Sequence, residues 1–212
     1  MREQLTWRDQ LVAIADQGLR TVAGKPAARR ASPAEPVAEA PLSAAEKRAS
    51  AALMRVNRAG EISAQALYLG QSLFARSRTT RRQLLSAADE ELDHLAWCTQ
   101  RLAELGGRRS VLDPFWYSGA VVLGAAAGLA GDRHSLGFVA ETERQVEMHL
   151  DDHLERLPKR DARSRAVLRQ MSADEVHHGT TARLAGAAEL PQPVRRLMSI
   201  GGSFLRHCAA VL

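Results

Sequence analysis

Glu91 and His94 stand three residues apart in the stretch ADEELDHLAW (88–97), and Glu175 and His178 repeat that spacing in ADEVHHG (173–179). On a helix, residues three apart share a face. A carboxylate and an imidazole on a face that leucines could fill are costly to bury unless something pairs with them. A metal ion pairs with both. With seven histidines in the chain, roughly half of one Glu-x-x-His match is expected by chance, so one match means little. Two matches on separate helices, each with a partner glutamate at a fixed reflection, are hard to reach by accident.

That reflection follows from the elements that must carry the residues. Ser43 followed by Glu46 reads as a capping box, and from there to about Ser77 little stops a helix. RSRTT (76–80) reads as a turn, and Thr80 with Gln83 as a second capping box opening a helix that runs to Leu105, where Gly106-Gly107 end it. Asp132 is placed to cap a third long helix, 133–157, stopped by Pro158; Asp161 is placed to cap a fourth, 162 to about 186. Folding the first pair about the turn near 76–78 carries Glu91 back to Glu61, and folding the second about 158–161 carries Glu175 back to Glu143. Each hairpin reads Glu, turn, Glu-x-x-His, with 30 residues between the two glutamates in the first and 32 in the second. The long connection 106–132 joins the hairpins. The expected fold is all-α: a ferritin-like four-helix bundle with one long crossover.

Four carboxylates from four helices and two imidazoles form the donor set of a di-iron or di-manganese carboxylate site. Zinc favours three or four donors and often thiolate, whereas six donors dominated by oxygen suit a pair of iron or manganese ions. Around them, Asp174 precedes Glu175 and is positioned to accept from a ligand histidine of the other pair or to lie in solvent, and Glu90 holds the equivalent place in the first motif. Tyr68, seven residues after Glu61, either approaches the metals or fills core, and Glu147, a turn after Glu143, can also face the site. His149 and His177 read as non-ligands; His134, His153 and His207 show no pairing.

The composition agrees with a helical chain. Of the 212 residues 45% are apolar and only 4% aromatic, and alanine, leucine, arginine and glutamate favour helix over sheet. Two cysteines, Cys98 and Cys208, make no disulfide framework, and the charged opening MREQLTWRDQLVAIADQ is not a secretory leader. A reducing cytoplasmic compartment is the expectation. Residues 3–22 suit a short amphipathic helix with Leu5, Leu11, Val12, Ile14, Ala15 and Leu19 apolar, and GKPAARRASPAEPVAEAP (24–41) reads as a linker. The division expected is therefore 1–42, an amphipathic segment plus Pro/Ala-rich linker, and 43–212, the bundle domain. From Pro114 to Gly131 there is no charge. That run is shorter than the roughly 20 residues of a spanning helix, so it is a buried or a membrane-interface segment, with Gly124 and Gly128 in a small-xxx-small pattern suited to close helix contact. The last segment, VRRLMSIGGSFLRHCAAVL, is basic and then apolar, suited to lie on the bundle or on a bilayer. A net charge of +5 fits an arginine-rich composition, an anionic membrane surface or a nucleic acid.

LMRVNRAGEISAQALYLGQ (53–71), DEELDHLAWC (89–98), GFVAETERQVEMHLDDHLERLP (137–158) and ADEVHHG together resemble the bacterial demethoxyubiquinone hydroxylases, the di-iron monooxygenases of late ubiquinone biosynthesis. The resemblance covers about residues 43–212. It implies that Glu61, Glu91, His94, Glu143, Glu175 and His178 are the catalytic iron ligands, with Glu91 and Glu175 bridging. It further implies two iron ions per subunit, dioxygen as co-substrate, electrons from NADH or from the quinol itself, and ring hydroxylation of a polyprenyl methoxy-methyl-benzoquinol. No glycine-rich dinucleotide fingerprint marks an NADH site. Because the isoprenoid tail lives in the bilayer, the implied place is peripheral, on the cytoplasmic face of the cell membrane. The implied partners are the quinol, other ubiquinone-biosynthesis proteins or further copies of the chain, and no nucleic acid. Among alternatives, a rubrerythrin-like peroxidase normally adds cysteine pairs that this chain lacks. A tRNA hydroxylase accounts for the basic charge but not for the uncharged run, and a non-enzymatic iron-binding bundle would carry the same six residues.

Overall fold

The free amides of a helix's first turn need acceptors, and Thr6 and Ser43 supply them through capping boxes with Asp9 and Glu46. In the computed structural model, which describes residues 6–24 and 26–211, these caps open α1 (Trp7–Ala23) and α2 (Ala44–Phe74). Five more helices follow: α3 (Arg78–Glu104), α4 (Asp113–Leu129), α5 (Asp132–Arg156), α6 (Ala162–Leu184) and α7 (Gln192–Val211). Leu5, expected on the apolar face of the first helix, lies outside the described residues.

α2 and α3 form one hairpin and α5 and α6 the other; α2 packs on α5 and α3 on α6, closing the four-helix bundle. The all-α, ferritin-like expectation is borne out. The connection between the hairpins is itself largely α4, laid along α2. Glycines set this approach: a Cβ on Gly70 or Gly124 would run into the backbone carbonyls of Val121 and Leu67, and one on Gly128 would sit 2.8 Å from the Gln71 carbonyl oxygen. Trp116 and Tyr117 face inward from α4, while Phe115, Val122, Leu123 and Leu129 are exposed. The uncharged run is thus both core and surface.

Two expected caps differ. α3 starts two residues before Thr80, with Ser77 accepting from the Thr79 amide. α5 is entered through Gly131 at φ 94°, a left-handed conformation that glycine tolerates. The Asp132 carboxylate instead accepts from the Arg76 and Ser77 amides, both at 2.8 Å. It ties the α2–α3 turn to the start of α5. Asp161 caps α6 as expected, at 3.0 Å from the Ser164 amide, and also binds Arg101 at 2.8 Å. Arg101, buried, bonds Glu39 and Glu104 as well.

Within the stretch read as linker (24–41), residues 26–41 have no α-helix, yet they lie against the bundle. Ser32 and Ala34 are buried, and Ala34 packs in one core cluster with Leu53, Trp97 and Leu168. The Arg29 amide donates to Asp93 at 2.6 Å.

Candidate metal centre

Each bundle helix brings its share of one cluster: Glu61 from α2, Glu91 and His94 from α3, Glu143 from α5, Glu175 and His178 from α6. All six are buried, none more than 7% exposed. They fall into two overlapping groups, Glu61–Glu91–His94–Glu175 and Glu91–Glu143–Glu175–His178. Within each group one donor atom per residue lies within 4.8 Å of every other. Donors about 2.0–2.2 Å from a common ion stand at most roughly 4.4 Å apart, so each group is within a few tenths of an ångström of closing on one ion. Glu91 and Glu175 belong to both groups.

The histidines present Nδ1 to the cluster. His94 Nδ1 lies 3.4, 3.2 and 3.3 Å from Glu61, Glu91 and Glu175. His178 Nδ1 lies 3.6, 3.6 and 3.4 Å from Glu91, Glu143 and Glu175. Each Nε2 faces away, onto a carboxylate of the opposite Glu-x-x-His helix: His94 to Asp174 at 2.9 Å and His178 to Glu90 at 3.1 Å. A carboxylate behind a metal-ligating histidine fixes its tautomer and ring orientation. The motifs therefore support each other crosswise.

Tyr68 is fully buried and donates its hydroxyl to Glu143 Oε1. Burial, then the nearby carboxylates, push its ionisation well above the usual tyrosine range, so it acts as a donor. Burial first, with carboxylate neighbours adding to it, pushes Glu61 and Glu143 well above the ordinary carboxylate range. Burial also opposes charge on His94 and His178, but hydrogen bonds to the surrounding carboxylates outweigh it and raise both. Asp174 is held down, to about 2; desolvation is outweighed by bonds from His94 and Arg30.

The residues fit a metal pair. Glu91 Oε1, Glu143 Oε2, Glu175 Oε2 and His178 Nδ1 are buried and make no hydrogen bond. Leaving four buried polar atoms unpaired at one spot is costly, and protons alone otherwise balance the carboxylates there. Oxygen-rich donors without thiolate match iron or manganese; Cys98 turns instead to Met171 Sδ at 3.7 Å.

Other candidates are not brought in. Glu147 lies near Arg144, whose charge it favours, and is not among the clustered donors. His177 is exposed. His149 and His153 are not ligands, but they are paired: rings 3.8 Å apart, both donating to Asn57 Oδ1, at 3.1 and 2.8 Å. Sequence reasoning missed this pair and the Arg30 contacts to Asp93 and Asp174. The i, i+4 spacing of His149 and His153 was the one available signal.

The chain matches the family model described as ubiquinone biosynthesis protein COQ7 over residues 48–205. It is 52% identical to the 3-demethoxyubiquinol 3-hydroxylase of Chromobacterium violaceum, over 93% of this chain and 96% of that one. Identity is 56% to the protein of the same name from Cupriavidus taiwanensis, covering 90% and 93%. It is 50% to that of Nitrosococcus oceani, covering 97% of each. With the match spanning the bundle and all six clustered residues, the chain belongs to the ubiquinone biosynthesis protein COQ7 family.

Proposed function

We propose that this chain is a di-iron monooxygenase that hydroxylates the ring of a polyprenyl demethoxyubiquinol. The reading rests on the two donor groups that share Glu91 and Glu175, and on relatives named 3-demethoxyubiquinol 3-hydroxylase along nearly the whole chain. Glu61, Glu91, His94, Glu143, Glu175 and His178 would hold the two ions, Glu91 and Glu175 being the residues common to both donor groups. When bound, the iron pair supplies the activation of dioxygen, whose two oxygen atoms end in the ring hydroxyl and in water, with two electrons drawn from NADH or from the quinol. The chain's own residues do the rest. Asp174 and Glu90 orient the imidazoles through Nε2. Tyr68 holds Glu143 by its hydroxyl proton. Leu95, Ile62 and Met171, all buried, help keep water from the bundle interior.

The tail requires a bilayer, and no helix among the described residues is long and apolar enough to cross one. Support for peripheral attachment comes from α1, α4 and α7, all packed on α2. They expose Trp7, Val12, Phe115, Val122, Leu197 and Ile200. α4 and α7 touch where the buried Trp116 meets the exposed Phe204, ring centroids 5.9 Å apart. Arg195 and Arg196 lie at the start of that apolar helix. This supports an interfacial helix on an anionic leaflet, which we take to be the cytoplasmic face of the cell membrane.

The test is metal content on freshly purified protein, wild type beside Glu175→Ala, followed by a quinol hydroxylation assay read by mass spectrometry. About two irons per chain, lost in the variant, with oxygen incorporated into the ring by wild type alone, is the expected result. An iron-free wild type with its fold intact would remove the di-iron reading; two irons without hydroxylation would remove the substrate.

A further inference from the structure

The two carboxylate–histidine pairs behind the cluster are not equally supported. Glu90, behind His178, has a side chain 39% exposed and bonds only His178 among the described residues. A cavity of about 190 Å³, lined by Glu90, His177, His178 and Leu136, opens beside it. Asp174, behind His94, is 14% exposed and is held from two further sides. Gln170 donates to it at 2.9 Å, and the Arg30 guanidinium reaches it at 2.9 Å. Arg30 comes from residues 26–42. The same guanidinium binds Asp93 at 2.9 Å and lies over Trp97 at 4.8 Å from the ring centroid. The Trp97 indole donates to the Arg30 carbonyl at 3.3 Å, and its ring lies 5.4 Å from that of His94. A planar fork that bridges two carboxylates and stacks on an aromatic ring loses little freedom in doing so. His94 is thereby clamped from outside the bundle, and His178 is not.

We infer that Arg30 is a positioning residue for the metal on the His94 side, and that the two metal positions are unequal: the ion held with Glu61 and His94 leaves more slowly than the ion held with Glu143 and His178. This rests on the di-iron reading. It assigns a role to the N-terminal segment, whose Arg30 also reaches His94 Nε2 at 3.4 Å, on the side of the ring away from the cluster.

The test is iron release. Protein loaded anaerobically with ferrous iron is mixed with excess ferrozine, and absorbance follows the loss. Wild type should release its two ions in two phases of equal amplitude. Arg30→Gln should speed the slow phase about tenfold or more, as removal of a support behind a ligand does, and leave the fast phase alone. Arg30→Lys, with one compact ammonium in place of the fork, should fall between, and it carries the comparison if Arg30→Gln melts early. Glu90→Gln should speed only the fast phase. Arg29→Gln is the control for loosening of the segment, since its side chain bonds Asp89 and not Asp174; both phases should stay as in wild type. A single release phase in wild type with two irons bound would overturn the inference alone. So would an unchanged slow phase in both Arg30 variants, or an Arg29→Gln effect as large as that of Arg30→Gln. A wild type that binds no iron pair would overturn the di-iron reading and this inference with it.

Discussion

A carboxylate sealed among helices must be answered by a proton, a donor or a cation; at this cluster Tyr68 is the donor to Glu143, and protons or metal must answer the rest. His94 and His178 favour their protonated forms in the metal-free cluster, and Glu61 and Glu143 favour their neutral ones. An incoming ion has to displace these protons. Lower pH leaves more protons in competition with the ion, so Mn²⁺ affinity should rise from pH 6 to pH 8, with protons released on binding. Calorimetry in buffers of different ionisation enthalpy measures both; affinity independent of pH would contradict the proton-filled cluster. Tyr68→Phe removes the donor to a buried carboxyl. Metal-free stability should fall by about 1–3 kcal/mol in urea unfolding, and no change would mean that the hydroxyl only fills space.

At the scale of elements, two joints hold the helices that carry the cluster. The α2–α4 joint depends on backbone approaching backbone at Gly124. Gly124→Val should cost about 1–3 kcal/mol by overpacking and lower the melting temperature, whereas Gly119→Ala, with open space around its added Cβ, should not. The α2–α5 joint includes Asn57 with His149 and His153, whose pKa values burial pulls down to about 3. The unfolded chain, with ordinary histidines near 6.5, binds more protons than the folded one between about pH 6.5 and 3. Stability is therefore unaffected above that window and falls as pH drops through it, by up to about 1.4 kcal/mol per pH unit for each histidine. His153→Gln should flatten the acid limb of a stability-versus-pH curve; an equally steep limb would assign the loss to the carboxylates alone.

Over the whole molecule, the bundle separates its chemistry from its apolar surface. The metal donors lie between the two hairpins, while α1, α4 and α7 flank α2 and expose large apolar side chains. If that face meets the bilayer, Leu197→Glu with Ile200→Glu should reduce co-sedimentation with vesicles containing anionic lipid by tenfold or more and leave metal content unchanged. Raising salt should weaken wild-type binding in part, because Arg196, beside the Glu141-paired Arg195, contributes charge attraction that is screened. Equal binding by the double variant would place the membrane contact elsewhere.

The six clustered residues, the two hairpins and the all-helical fold were readable from sequence because they depend on local periodicity. A spacing of three puts Glu and His on one helix face, and an antiparallel turn maps Glu91 onto Glu61 and Glu175 onto Glu143. Ser43 and Asp161 were readable as caps for the same reason: the bond they make closes within three residues. Asp174 was readable as a candidate support for a ligand histidine of the other pair, and it backs His94. Contacts between the N-terminal segment and the bundle were not readable. Arg30 and Asp93, 63 residues apart, follow from no local pattern. Residues 24–41 read as linker because the contacts that dock the segment on the bundle, through Arg30 and Ala34, are long-range. Asp132 looked like a cap, yet its carboxylate binds amides 55 and 56 positions earlier. Which imidazole nitrogen meets the cluster, which carboxylate backs each ring, and which side of the site is clamped were decided only when the hairpins packed together, because each depends on side chains from different helices meeting in a space that excludes water.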